Sequence, residues 1–100
     1  MNEGDFPKME HITFLRPRVK HIAEHQGLEF IDINFAPHAR TYRVGVRTPR
    51  RGRVERTPIR FDVMERCISS GQDAELLQEL NHFLVRKFAG WPNQFPLLTG

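Results

Sequence analysis

The sequence predicts an α+β two-layer sandwich, with helices on one face of a three-stranded antiparallel sheet and the element order αβββα. Three observations carry that expectation. Apolar residues recur at three- and four-residue steps near both ends of the chain, and they alternate with polar residues in its middle. The alternating stretches are also joined by connections too short for the crossovers that parallel strands need. With 100 residues, 39% hydrophobic and 27% charged, the composition is that of a globular chain. One domain of this size buries roughly two-thirds of its unfolded surface and needs no disulfide or structural metal.

Residues 1–8, with Gly4 and Pro7, read as a flexible N-terminal arm, and residues 9–90 as the single domain. Met9, Ile12, Leu15, Val19, Ile22 and Ala23 share one helical face, which Pro17 interrupts. Inside a helix a proline costs about 3 kcal/mol, but at the first helical position it costs almost nothing. The expected helix therefore runs from Pro17 to Gln26, with Gly27 as its left-handed cap, and HITFL before it is a short strand or a separate turn. Ile31, Asp32, Ile33, Asn34 and Phe35 alternate as a half-buried strand that Pro37 stops. Tyr42, Val44 and Val46 turn inward from the next strand, while Arg43, Gly45 and Arg47 turn outward.

A loop is expected from Pro49 to Pro58, followed by a third alternation at Ile59, Phe61 and Val63. Asp62 and Glu65 have the spacing of a capping box, so a short helix over 63–69 competes with extension of that strand. From Asp73 onward, Leu76, Leu77, Leu80, Phe83, Leu84 and Phe88 form an unbroken apolar stripe, which Gly90 and Pro92 close. Residues 91–100 are an apolar tail. Its Trp91, Phe95, Leu97 and Leu98 are expected to pack on the domain or at a protein interface, including that of a homodimer.

Charge is distributed unevenly. Residues 40–60 hold eight arginines and a single acid, Glu55, a local charge of +7 in a chain whose total is +3, so the remainder carries −4. Such a division points to one acidic or polyanionic partner met by one surface. Arg40, Arg43, Arg47, Arg50, Arg51, Arg53, Arg56 and Arg60 offer guanidinium forks that match phosphates, and Tyr42 is placed to stack on a base. The expected partner is nucleic acid or a nucleoprotein complex, as for a regulator or a mobile-element accessory protein. An acidic protein surface is the alternative, which would make the chain an inhibitor.

Double-stranded RNA-binding domains and some small ribonuclease toxins share this element order. The lysine-rich start expected of the last helix in the RNA-binding domains is here the acidic GQDAELLQ, and order alone assigns neither family. A toxin-like ribonuclease would use His38, beside the basic strand, as general base while arginines hold the phosphate. A loop histidine without a second positioned group is the simpler account, so no catalytic residue is assigned.

His11, His21, His25, His38 and His82 are scattered. Only His21 and His25 have a spacing suited to a shared metal, and no further ligand completes a set, so no metal or cofactor is expected. Dinucleotide fingerprint, phosphate loop, nucleophile elbow and Cys-x-x-Cys are all lacking, which disfavours the common enzyme classes. Cys67 stands alone, so no internal disulfide forms and a small buried side chain is its expected role. No apolar run approaches the ~20 residues that span a bilayer, and the N-terminus lacks the pattern of a signal peptide, so a cytoplasmic protein is expected.

Overall fold

The computed structural model describes residues 7–49 and 52–89. The elements follow as α1 (Met9–His25), β1 (Glu29–Ala36), β2 (Thr41–Arg47), β3 (Glu55–Arg60), α2 (Phe61–Ser70) and α3 (Ala74–Lys87). The strands form one antiparallel sheet in the order β1-β2-β3. The expected α+β arrangement is therefore present, with α2 inserted between the sheet and the last helix. Among the described residues no helix is long and apolar enough to cross a membrane.

The first helix is a single element of 17 residues that contains Pro17, not a short helix beginning there. The proline removes the donor to the carbonyl of Thr13. Thr13 and Pro17 both face solvent, so that carbonyl is not left in an apolar interior. One residue on, the Arg18 guanidinium donates to the Phe14 carbonyl at 2.9 Å and lies 3.7 Å over the Phe14 ring. The buried side of α1 is His11, Leu15, Val19 and Ala23, whereas Met9, counted on the apolar face from sequence, is 77% exposed. The helix ends as expected: Gly27 has φ 77°, and the amides of Gly27 and Leu28 donate to the carbonyls of Glu24 and Ala23. This is the six-residue Schellman closure, and the burial of Ala23 against Leu28 completes it.

The register of β1 differs from simple alternation. Phe30 faces Val46 but Asp32 faces Gly45, so Ile31 is an extra residue, a bulge. The bulge turns Phe30, Ile33 and Phe35 toward the helices and Asp32 and Asn34 outward. In β2, Tyr42, Val44 and Val46 are inward and Arg43 is outward, as the sequence predicts. The third strand starts earlier than expected and contains Pro58, with Thr57 and Ile59 buried. A proline is tolerated there because β3 lies at the margin of the sheet.

Helix α2 begins at Phe61, directly after β3, and no side chain caps its N-terminus. Asp62 and Glu65 therefore do not form a capping box; Glu65 is bonded elsewhere. The N-cap of α3 is Asp73, whose carboxylate accepts from Arg18 Nε at 2.8 Å and so ties α3 to α1 instead of capping. Leu76, Leu80, Phe83, Leu84 and Phe88 bury the α3 stripe against Leu15, Val19, Val46 and Ile59. Side chains of this size contribute about 1.5–3 kcal/mol each when fully buried. All three helices cover the same face of the sheet, and among the described residues the opposite face is left open.

Candidate anion-binding face and a buried histidine network

The open face of the sheet can be read off the strand register. Its rows across the strands are Glu29 with Arg47, then Asp32 with Gly45 and Arg56, then Asn34 with Arg43 and Pro58, and last Ala36 with Thr41 and Arg60. Four of the eight arginines, Arg43, Arg47, Arg56 and Arg60, therefore share this surface. They do not form one uniform cationic patch. Arg56 donates to Asp32 through both ends of its fork, at 2.6 Å and 3.3 Å, and Arg47 Nε donates to Glu29 at 2.8 Å. The hydrogen bond from Arg56 holds the Asp32 carboxyl below its ordinary range, and the nearby guanidinium charge adds to the effect.

The Arg56–Asp32 bridge spans the full width of the sheet because Gly45 lies beneath it. A β-carbon at position 45 would stand 2.8 Å from Arg56 Nη1 and 2.9 Å from Asp32 Oδ1. The glycine is thus a gap through which a side chain of β3 reaches one of β1.

At the other end of the face the arginines are much less compensated. Arg43 makes no carboxylate contact among the described residues, and Arg60, 73% exposed, lies 3.8 Å from Asp62. Arg43 and Arg60 line a shallow depression of about 640 Å³ together with Ala36, Ala39, Thr41 and Pro58. Arg40 stands in the adjoining turn with φ 51°, a left-handed conformation that residues with a side chain seldom adopt. Its carbonyl accepts from the Phe61 amide at 2.9 Å, and its guanidinium lies 4.7 Å from the centre of the Phe61 ring. Holding that backbone costs on the order of 1 kcal/mol, which the hydrogen bond and the cation–π contact offset. Arg53 is exposed near the opposite end of the sheet. Arg50 and Arg51 lie outside the described residues, as do Trp91, Phe95, Leu97 and Leu98.

Tyr42 corrects a sequence expectation. It is fully buried and cannot stack on a base from outside. Its hydroxyl instead joins a polar network under the helices. The Lys8 amide donates to Tyr42 Oη at 3.0 Å, His11 Nδ1 lies 2.6 Å from the same oxygen, and His11 Nε2 lies 2.6 Å from Glu65 Oε2. One proton arrangement satisfies every group: Tyr42 accepts from Lys8 and donates to Nδ1 of a neutral imidazole, whose Nε2–H donates to Glu65. Lys8 Nζ completes the chain at 3.1 Å from Glu65. Lys8, assigned to the loose arm from sequence, is thereby fixed to both β2 and α2.

Burial pushes the Tyr42 phenol above its usual value, and Glu65 is held below its own by the Lys8 hydrogen bond first and His11 next. Aromatic edges seal the network, with the His11 ring 4.7 Å from that of Phe61 and 5.5 Å from that of Tyr42. Its tyrosine and histidine have no exposed surface. The network therefore braces the helix layer against the sheet.

Sequence reasoning missed this network, although a signal was present. His11 falls on four-residue steps with Leu15, Val19 and Ala23, the buried stripe of α1, and a histidine there must find partners. The remaining candidates stay apart. His38 is exposed in the turn after β1 and makes no side-chain hydrogen bond among the described residues. His21 and His25 stack 6.3 Å apart on the exposed side of α1, and no group of three metal-ligating side chains occurs among the described residues. Burial raises the Cys67 thiol, which keeps it protonated and a weak nucleophile.

Comparison of the chain with protein-family models, curated proteins and solved structures returned no match.

Proposed function

We propose that this chain is a small binding module that holds nucleic acid, alone or within a nucleoprotein complex, on the open face of its sheet. The observation that carries the reading is the depression between Arg43 and Arg60, a basic concavity on a face that the helices leave uncovered. Arg53, exposed near the far end, extends the positive surface beyond the paired arginines. Guanidinium forks hold phosphate oxygens through paired hydrogen bonds, and the counterions they displace drive binding. Arg47 and Arg56 are already satisfied by Glu29 and Asp32, so they contribute less to this surface than their number in the sequence implies.

The test is binding of a fluorescent oligonucleotide at several salt concentrations, with wild type and a variant carrying Arg43→Ala, Arg53→Ala and Arg60→Ala. The expected result is a loss of at least tenfold in affinity and a shallower salt dependence, at a nearly unchanged melting temperature. Undiminished binding by the variant would overturn the reading. Binding of poly-aspartate in preference to any oligonucleotide would replace it with an acidic protein partner.

A further inference from the structure

We infer that the nucleic acid this face fits is duplex DNA, with the β2–β3 ribbon entering the major groove. This deepens the function proposed above and rests on it. Three features of the face favour that ligand over the other nucleic acids.

The first is where the aromatic side chains of the strands point. Phe30, Phe35 and Tyr42 all lie on the helix side of the sheet, packed with Val46, Val44 and Ile59. Single strands are held by stacking unpaired bases on outward aromatic rings. These strands spend their rings on the core, so the face meets its ligand with guanidinium, amide and hydroxyl groups.

The second is shape. Neighbouring strands lie about 4.8 Å apart, and the major groove of B-DNA, about 12 Å wide, admits a two-stranded ribbon. β3 is a margin of the sheet, so the ribbon has one free side. The major groove of an RNA duplex is too deep and narrow for side chains to read.

The third is the arrangement of donors. Thr41 faces Arg60 and Arg43 faces Pro58, so the two arginines stand on adjacent strands one register row apart. An arginine fork matches the O6 and N7 acceptors of guanine. The acids of β1 do not oppose this approach, since Asp32 and Glu29 are each neutralised by an arginine on the same face. Paired side chains at one end and free ones at the other set which end enters the groove.

The experiment compares, at one salt concentration, a labelled 20-base-pair DNA duplex, the RNA duplex of the same sequence and the single DNA strand. The protein is the full chain and the Arg43→Ala, Arg60→Ala double variant. The DNA duplex is expected to bind at least tenfold tighter than the other two, and the double variant to lose at least tenfold of that affinity at unchanged melting temperature. Equal or tighter binding of the single strand or the RNA duplex overturns the inference and leaves the nucleic-acid reading standing. Duplex DNA binding that survives the double variant overturns the placement of the groove on this ribbon. Failure to bind any of the three overturns both.

Discussion

The two sides of the sheet use the same chemistry to opposite ends. On the helix side, Tyr42, His11 and Glu65 form a chain with 2.6 Å contacts at both ring nitrogens, and the first two have no exposed surface. On the open side, Arg56 and Asp32 meet at the same 2.6 Å, but 34% and 43% of their side chains remain exposed. Geometry does not separate these contacts; water does. A buried polar group that loses its partner bears its full desolvation cost, whereas an exposed one exchanges its partner for water. The buried His11–Tyr42 contact therefore fixes the fold, whereas the ends at Glu65, 45% exposed, and at Asp32 and Arg56 can exchange partners with water.

The sharpest way to break this comparison is at His11. Replacing it by alanine removes a buried ring and leaves Tyr42 and the Lys8 segment without their brace, so a loss of about 3 kcal/mol or more is expected. Urea unfolding measures it, and a loss below about 1 kcal/mol would show the network to be incidental. Next in size is Tyr42→Phe. It keeps the ring but strands the Lys8 amide and His11 Nδ1, for an expected loss of about 1–3 kcal/mol. Oligonucleotide affinity should be unchanged by it, because the hydroxyl never reaches the open face.

Acid sharpens the contrast from another direction. Glu65 and Asp32 both have folded-state pKa values below their ordinary ones. Each contributes stability that is present above the unfolded-state value and is lost as pH falls through the folded one. Melting temperature should therefore decline below about pH 4.5, near the unperturbed glutamate value. Glu65→Gln should flatten part of that decline, which melting scans at pH 7 and pH 3 would register. An unchanged acid limb in the variant would remove Glu65 from the account.

The smallest effect is expected at Gly45. Gly45→Val places methyl groups where Arg56 and Asp32 cross, and these flexible ends can swing away into solvent. A bridge worth at most about 1 kcal/mol is then traded against the better strand propensity of valine. A net change within about 1 kcal/mol is expected, and a much larger loss would show that the crossing guanidinium holds the sheet together.

Much of the fold was legible because period and burial agree. The α3 stripe, the alternation in β2 and the Gly27 cap each follow from local sequence and are present in the structure, except that Leu77, counted in the stripe, lies outside the core. The departures arise where solvent exposure or a distant partner decides what a residue does. Pro17 argued for a helix start, but its solvent-facing position let α1 run through it. Glu65 had capping-box spacing, yet it bonds His11, 54 residues away. Asp73 was read as a helix start and is one, but its carboxylate answers to Arg18. The basic surface was legible as composition and not as geometry, because only strand register reveals that Asp32 and Glu29 face Arg56 and Arg47.

Pro58 has a consequence for how copies of this chain meet. It stands in the middle of a marginal strand, flanked outward by Arg56 and Arg60. A strand arriving from another molecule would find one amide donor missing and the exposed charge of Arg60 beside the gap. That margin resists sheet extension, which leaves the β1 side as the easier edge for strand addition.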